Sequence, residues 1–163
     1  MPEVIANTTP FQYLHRLGLL WLLPGFYGRV VVPQAVADEL ARGAAEGAEV
    51  PRLSDLPRVE IRRVAAPLWP LPREIHRGEA EVLALAAQTA ESLVVIDDSA
   101  AREHARALRL KFTGTLGILL RAKREGKLPL VSPWLKKLET LGFYLAPATK
   151  AEVLRQAGEA PLT

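Results

Sequence analysis

Residues 93–98 read LVVIDD. Four apolar residues, three of them β-branched, follow one another without alternation and stop at two carboxylates. A run that is apolar on both sides of the pleat suits a strand covered on both faces, as strands of parallel sheets are. Arg29–Val32 is similar, β-branched at Val30, Val31 and Val32. Val4–Ala6 is a shorter run that ends at Asn7. Val59–Val64 and Leu110–Phe112 add two more strand candidates. Helix-like segments lie between them. Pro10 to Leu23 places Phe11, Leu14, Leu17 and Leu20 near one-face spacing, with Pro24 and Gly25 as its stop. Pro33 opens a helix through Leu40 that Gly43 and Gly47 end. An Ala/Leu-rich helix runs from Gly78 to about Gln88, and Ser99 is placed to cap the next one. Thr115–Arg124, Pro133–Leu141 and Thr149–Ala157 complete the helices. Strands alternating with helices predict an α/β domain, a small central parallel sheet between two helical layers.

The chain has 163 residues, enough for one domain with a full core. It has no cysteine, which excludes disulfides, thiolate catalysis and cysteine zinc sites. Leu17–Leu23 and Leu116–Leu120 are too short to span a bilayer, and Glu3 stands where a signal peptide has basic residues. The expected compartment is the cytoplasm. Net charge is +3, unevenly spread. Residues 1–98 hold 9 Lys/Arg and 13 Asp/Glu, whereas residues 99–163 hold 12 and 5. An acidic pocket beside a polyanion-binding face has this asymmetry, and so does an ordinary solvated helical surface.

Ligands of doubly wound sheets bind outside the carboxyl ends of the strands. Two polar groups fall there, Asn7 and the pair Asp97-Asp98. Helices add Asp38-Glu39 and Glu79 with Glu81. Taken singly, each acid serves a helix end as readily as it serves catalysis. Together they suit a hard divalent cation such as magnesium or manganese, which takes carboxylate and water oxygens. Such an ion lowers the pKa of a bound water and neutralises phosphate charge, so phosphodiester hydrolysis is the natural use. Neighbours at a strand end point to opposite faces, so Asp97 and Asp98 are not expected to share a role. Glu79 and Glu81 are two apart on a helix, and Glu79, on the face of Leu83 and Ala86, is favoured for the site.

IANTTP, VVVPQAVADEL, HRGEAEVLALAAQ, LVVIDDSAAR and KFTGTLGILLRAK occur in that order. With them the sequence resembles the PIN-domain family, in a subfamily of PIN-like nucleic-acid-binding proteins, over nearly the whole chain to about Ala157. The resemblance implies a three-layer α/β/α fold around a small parallel sheet. It implies a single domain over residues 1–163, with the helices of about 132–157 packed on it. It further implies Mg2+- or Mn2+-dependent ribonuclease activity on RNA. Many relatives are toxins of the VapC kind, restrained by an antitoxin protein and often homodimeric. Carried over by position, the family's four acidic places fall on Asn7, Glu39, Glu79 and Asp97. Asp98 and Glu81 remain candidates to support them. The departure is Asn7, whose amide oxygen coordinates a cation only as a neutral ligand. Weaker metal affinity is therefore expected; the alternatives are a silenced nuclease that holds RNA or protein without cutting, and a site in which Glu39, Glu79 and Asp97 suffice for one cation.

Thr115, in GTLG, suits a phosphate or metal-bound water as well as a helix cap. Arg102, Lys111, Arg121, Lys123 and Arg124 are candidates for a phosphate-contacting strip. Trp21, Trp69 and Trp134 are widely spaced, which favours packing over base stacking. His15, His76 and His104 are too scattered for a metal triad. No glycine-rich dinucleotide fingerprint follows a strand, and Asn7-Thr8 stands where a phosphate-receiver domain has an acidic pair.

Overall fold

Parallel strands need crossovers, and the five described strands obey that rule throughout. In the computed structural model, which describes residues 2–65 and 73–159, β1 (Glu3–Ala6), β2 (Val30–Pro33), β3 (Val59–Arg62), β4 (Ser92–Val95) and β5 (Lys111–Thr113) form one all-parallel sheet. Its order is β3-β2-β1-β4-β5. The chain steps outward from β1 through β2 to β3, then returns to β4 on the other side of β1. The winding therefore reverses between β1 and β4, where Ala6 is in register with Val95. Helices α1 (Thr8–Arg16), α2 (Leu22–Tyr27), α3 (Gln34–Ala45), α4 (Arg77–Ala87) and α5 (Ser99–Ala107) make the connections. They flank the sheet in the three-layer α/β/α arrangement that the sequence predicts.

Burial follows the strand composition. Ile5, Val31, Val32, Val94 and Val95 are inaccessible to solvent, each contributing about 1.5–3 kcal/mol relative to an exposed side chain. The edge strands are less covered, and Ile61 on β3 is about half exposed. Glu3, Glu60, Arg29 and Arg62 dress that side of the sheet with ion pairs.

Several boundaries differ from the sequence expectation. The helix expected from Pro10 to Leu23 is two helices, because Gly18 takes a left-handed φ of +73° and turns the chain after α1. Pro24 and Gly25 then lie inside α2, early enough that the missing proline N–H breaks no helical bond. Helix α3 passes Gly43 and runs to Ala45, two residues before the left-handed Gly47. Ser99 is not the cap of α5: the Asp98 carboxylate takes that place, accepting the Ala101 N–H at 2.9 Å.

The chain divides into two compact units, Met1–Gly114 and Thr115–Thr163. The second holds α6 (Thr115–Arg124), α7 (Ser132–Thr140) and α8 (Pro147–Gln156), with Ile118, Leu119, Val131, Leu135, Leu138 and Val153 buried. Glu159, just beyond α8, ties this unit together. It accepts the Val131 N–H at 2.8 Å, the Ser132 N–H at 3.1 Å and the Lys123 ammonium at 3.0 Å. Burial alone would push this carboxyl up, but those donors hold it at about 2. The folded value thus lies below the ordinary 4.5. The stabilisation is complete above the ordinary value and is lost as pH falls through the folded one. Glu159→Gln is expected to cost on the order of 2 kcal/mol near neutral pH. The difference from the parent should vanish in acid, which denaturant titrations at several pH values would show.

Candidate active site at the carboxyl edge of the sheet

Asn7 ends β1 and stands at the N-cap position of α1. Asparagine there normally turns its side-chain oxygen onto the helix's free N–H groups. Asn7 makes no such cap bond. Its backbone N–H reaches across to Val95 O at 3.0 Å, fixing it against β4. Its side chain is 3% exposed, and Oδ1 is buried with no hydrogen-bond partner. A buried acceptor without a donor is costly, about 1–3 kcal/mol, and asks for an explanation.

The acids stand close by, linked through the backbone. Thr8, next to Asn7, donates its hydroxyl to Glu39 Oε2 at 2.5 Å. The other Glu39 oxygen accepts the Gly78 N–H at 3.1 Å, at the start of α4. Gly78 has to be glycine for this: a Cβ there would lie 2.5 Å from Glu39 Oε1. Glu79 is the next residue, buried as its apolar helix face predicts. One oxygen accepts the His76 N–H at 3.0 Å, so the helix-end role also holds. Burial pushes the Glu79 carboxyl up, against the His76 N–H, and the nearby Asp98 and Glu39 charges push it further. Asp97 follows β4 and lies beside Gly114, where a Cβ would come within 2.5 Å of its Oδ1. Glu81 faces away from Glu79, toward α3. It accepts the Ala35 N–H at 3.0 Å and pairs with Arg77 at 3.3 Å. Glu39 and Glu81 therefore cap each other's helices crosswise, an arrangement no local sequence pattern signals.

The structure thus brings Asn7, Glu39, Glu79, Asp97 and Asp98 to one edge, at the point where the winding reverses. It does not splay them into an open cage: among the described residues no three Asp, Glu or His side chains form a ready metal-ligating group. The donor set nevertheless fits a hard cation. Asn7 Oδ1 lacks a partner, and Glu79 is pressed by burial and by two like charges, conditions that a divalent ion relieves.

The expected basic strip is not one surface of the sheet-bearing unit. Lys111 opens β5 and lines a cavity of about 260 Å³ with Pro2, Glu91 and Ser92, at the amino ends of the strands. A three-residue strand keeps it at the opposite edge from the acids. Arg102 donates Nε to Ile96 O at 2.9 Å and lies over the Phe112 ring, 5.3 Å from its centre. Thr115 is fully buried at the start of α6, in the second unit. In that unit Arg121 pairs with Glu125, Lys123 with Glu159, and Arg124 is exposed. Trp21, half exposed, lines an apolar cavity of about 210 Å³ with Phe11, Pro24 and Val59, and Trp134 packs under Lys137. Trp69 lies outside the described residues.

Removing the charge of Glu79 is expected to stabilise the metal-free fold. The folded carboxyl titrates above its ordinary value, so its contribution is lost as pH rises, and at neutral pH ionised Glu79 is a penalty. Glu79→Gln keeps an oxygen for the His76 N–H. Its melting temperature should exceed the parent's in chelator, and the gap should close at acid pH.

A doubly wound parallel sheet with polar and acidic groups at its switch point defines a class of α/β domains that act on ligands at the strand ends. A family model described as a PIN domain matches residues 3–159, across both units, and the chain belongs to the PIN-domain family. Members of this family are typically nucleases dependent on divalent metal. No curated protein matches the sequence. Among solved structures the chain is similar to a PilT N-terminus domain protein from the hyperthermophilic archaeon Sulfolobus solfataricus P2. Identity is 16% and the TM-score 0.54, over 73% of this chain and 92% of that one, a likeness of fold. Among the described residues no helix is long and apolar enough to cross a membrane.

Proposed function

We propose that the chain is a metal-dependent endoribonuclease, acting as one PIN domain over both units, whose cation is Mg2+ or Mn2+. The buried, partnerless Asn7 Oδ1 beside the acidic edge carries this reading. Asn7, Glu79 and Asp97 would hold the ion, Asp98 would stand beside it, and Glu39 would position the start of α4. When bound, the ion would neutralise phosphate charge and lower the pKa of a water. The protein's own part is to seat the scissile phosphate at the strand ends and to keep the acids apart. By family resemblance the role is the toxin of a toxin–antitoxin pair in the cytoplasm, as a homodimer bound by an antitoxin protein.

A second reading is a silent PIN module that binds RNA or protein. The observation favouring it is that Glu39, Glu79 and Asp98 each already accept a protein N–H, while Asn7 is neutral.

Incubating the purified chain with structured RNA and Mn2+, beside Asp97→Ala, separates the two. Metal-dependent cleavage that the substitution abolishes supports the enzyme. RNA binding without cleavage, unaltered by the substitution, supports the module. In either case RNA affinity should fall steeply between 50 and 200 mM salt if cations contact phosphates.

A further inference from the structure

An open cavity of about 390 Å³ lies beside the acidic edge, within the sheet-bearing unit. Gln34 and Asp38 of α3, Arg63 and Val64 after β3, and Arg77 and Glu81 of α4 line it. Asp38 and Arg77 each stand one residue before a member of the Glu39–Gly78 hydrogen bond, so the cavity and the edge adjoin. Two arginines face two carboxylates in this lining. That balance gives no net pull on a phosphate or on a cation. It suits an uncharged group that carries both donors and acceptors.

The hydrogen bonds already made show which groups are left for a ligand. Glu81 is occupied on both oxygens, by the Ala35 N–H at 3.0 Å and by Arg77 Nε at 3.3 Å. Asp38 is held on one side only. Gln34 Nε2 donates to its Oδ1 at 2.9 Å and fixes the carboxylate. Oδ2 lies 3.9 Å from Arg77 Nη1, an ion pair too long for a hydrogen bond. Among the described residues, Asp38 Oδ2 accepts no hydrogen bond, and Arg63 has no hydrogen bond or ion pair.

We propose that this cavity is a subsite for one unpaired nucleobase of RNA, and that Asp38 makes it select bases bearing an exocyclic amino group over uracil. The proposal rests on the reading of the chain as a protein that acts on RNA. Unpaired bases are recognised on their Watson–Crick edges and stack on arginine planes. Adenine, cytosine and guanine each carry an amino N–H for the Asp38 acceptor. Uracil brings an N–H flanked by two carbonyls, which a carboxylate repels. Gln34 keeps its second amide hydrogen and its carbonyl for the atom beside the amine. The exposed Arg63 and Arg77 supply the planes.

The test is the affinity of the full chain for short single-stranded oligo(A), oligo(C) and oligo(U), by fluorescence anisotropy in Ca2+. Gels confirm that the RNA stays whole, and circular dichroism confirms folding. The parent is expected to bind oligo(A) and oligo(C) about tenfold more tightly than oligo(U). Asp38→Asn puts an amide N–H where the acceptor was, and should erase that ratio by raising affinity for oligo(U). Gln34→Ala, which unfastens the carboxylate, should narrow it. A parent that binds oligo(U) as tightly as the others overturns the proposal and leaves the RNA reading in place. So does the parent's ratio persisting in both folded variants. A folded parent that binds none of the three overturns the RNA reading itself.

Discussion

An Asn7→Asp chain is expected to bind Mn2+ at least about tenfold more tightly than the parent. Two unit charges 4 Å apart attract by about 4 kcal/mol at an effective dielectric near 20, and a third of that is a factor of ten. The same substitution should lower the melting temperature in chelator. It places a carboxylate where the side chain is 3% exposed, beside residues that already carry Glu39 and Glu79. A buried unpaired charge costs several kcal/mol or protonates instead. The variant should therefore be less stable without metal and rescued more strongly by it, with RNA cleavage raised in parallel. Thermal melts across a Mn2+ series, with a cleavage assay, would show this. If neither cleavage nor Mn2+ affinity changes, the neutral amide is not what limits the site.

The second large effect is expected at Gly78→Ala. The new methyl would lie 2.5 Å from Glu39 Oε1 and 2.8 Å from Oε2, so the carboxylate has to swing away from both Thr8 and the α4 amide. Hydrogen bonds to a charged group contribute about 1.5–3 kcal/mol. Alanine returns at most about 1 kcal/mol over glycine in a helix. The net loss should be about 1–2 kcal/mol, or a few degrees of melting temperature in a chain this size. The decisive measurement is the double mutant. In a Glu39→Ala background the carboxylate is gone, and Gly78→Ala should become neutral or stabilising. An unchanged cost in that background would place the conflict elsewhere.

How far the fold was legible depended on the range of the interaction that set each feature. The strands around Val30–Val32 and Leu93–Ile96 announce themselves because β-branched apolar runs suit little else, and the structure shifts their ends by a residue or two. The break between α1 and α2 was hidden, because leucines on both sides of Gly18 continue the helical spacing. At the site, helix periodicity separated Glu79 from Glu81, since facing is a local property. It gave no sign that Glu81 caps α3 across the fold, nor that Arg102 is committed to Ile96 and Phe112. Charge composition suggested a basic strip, yet Lys111 opens a short edge strand at the far end of the sheet. Composition reports how many charges there are, and only topology says which edge receives them.

The crosswise pairing of Glu39 with Gly78 and Glu81 with Ala35 makes α3 and α4 answer to one another. Any ligand that draws the Glu39 carboxylate toward itself withdraws the acceptor from the Gly78 amide and should appear as faster deuterium uptake at the first turn of α4, whereas an ion held by Asn7, Glu79 and Asp97 alone should leave that uptake unchanged. The two helices are in that sense a gauge, readable by amide exchange even in a chain that cuts nothing.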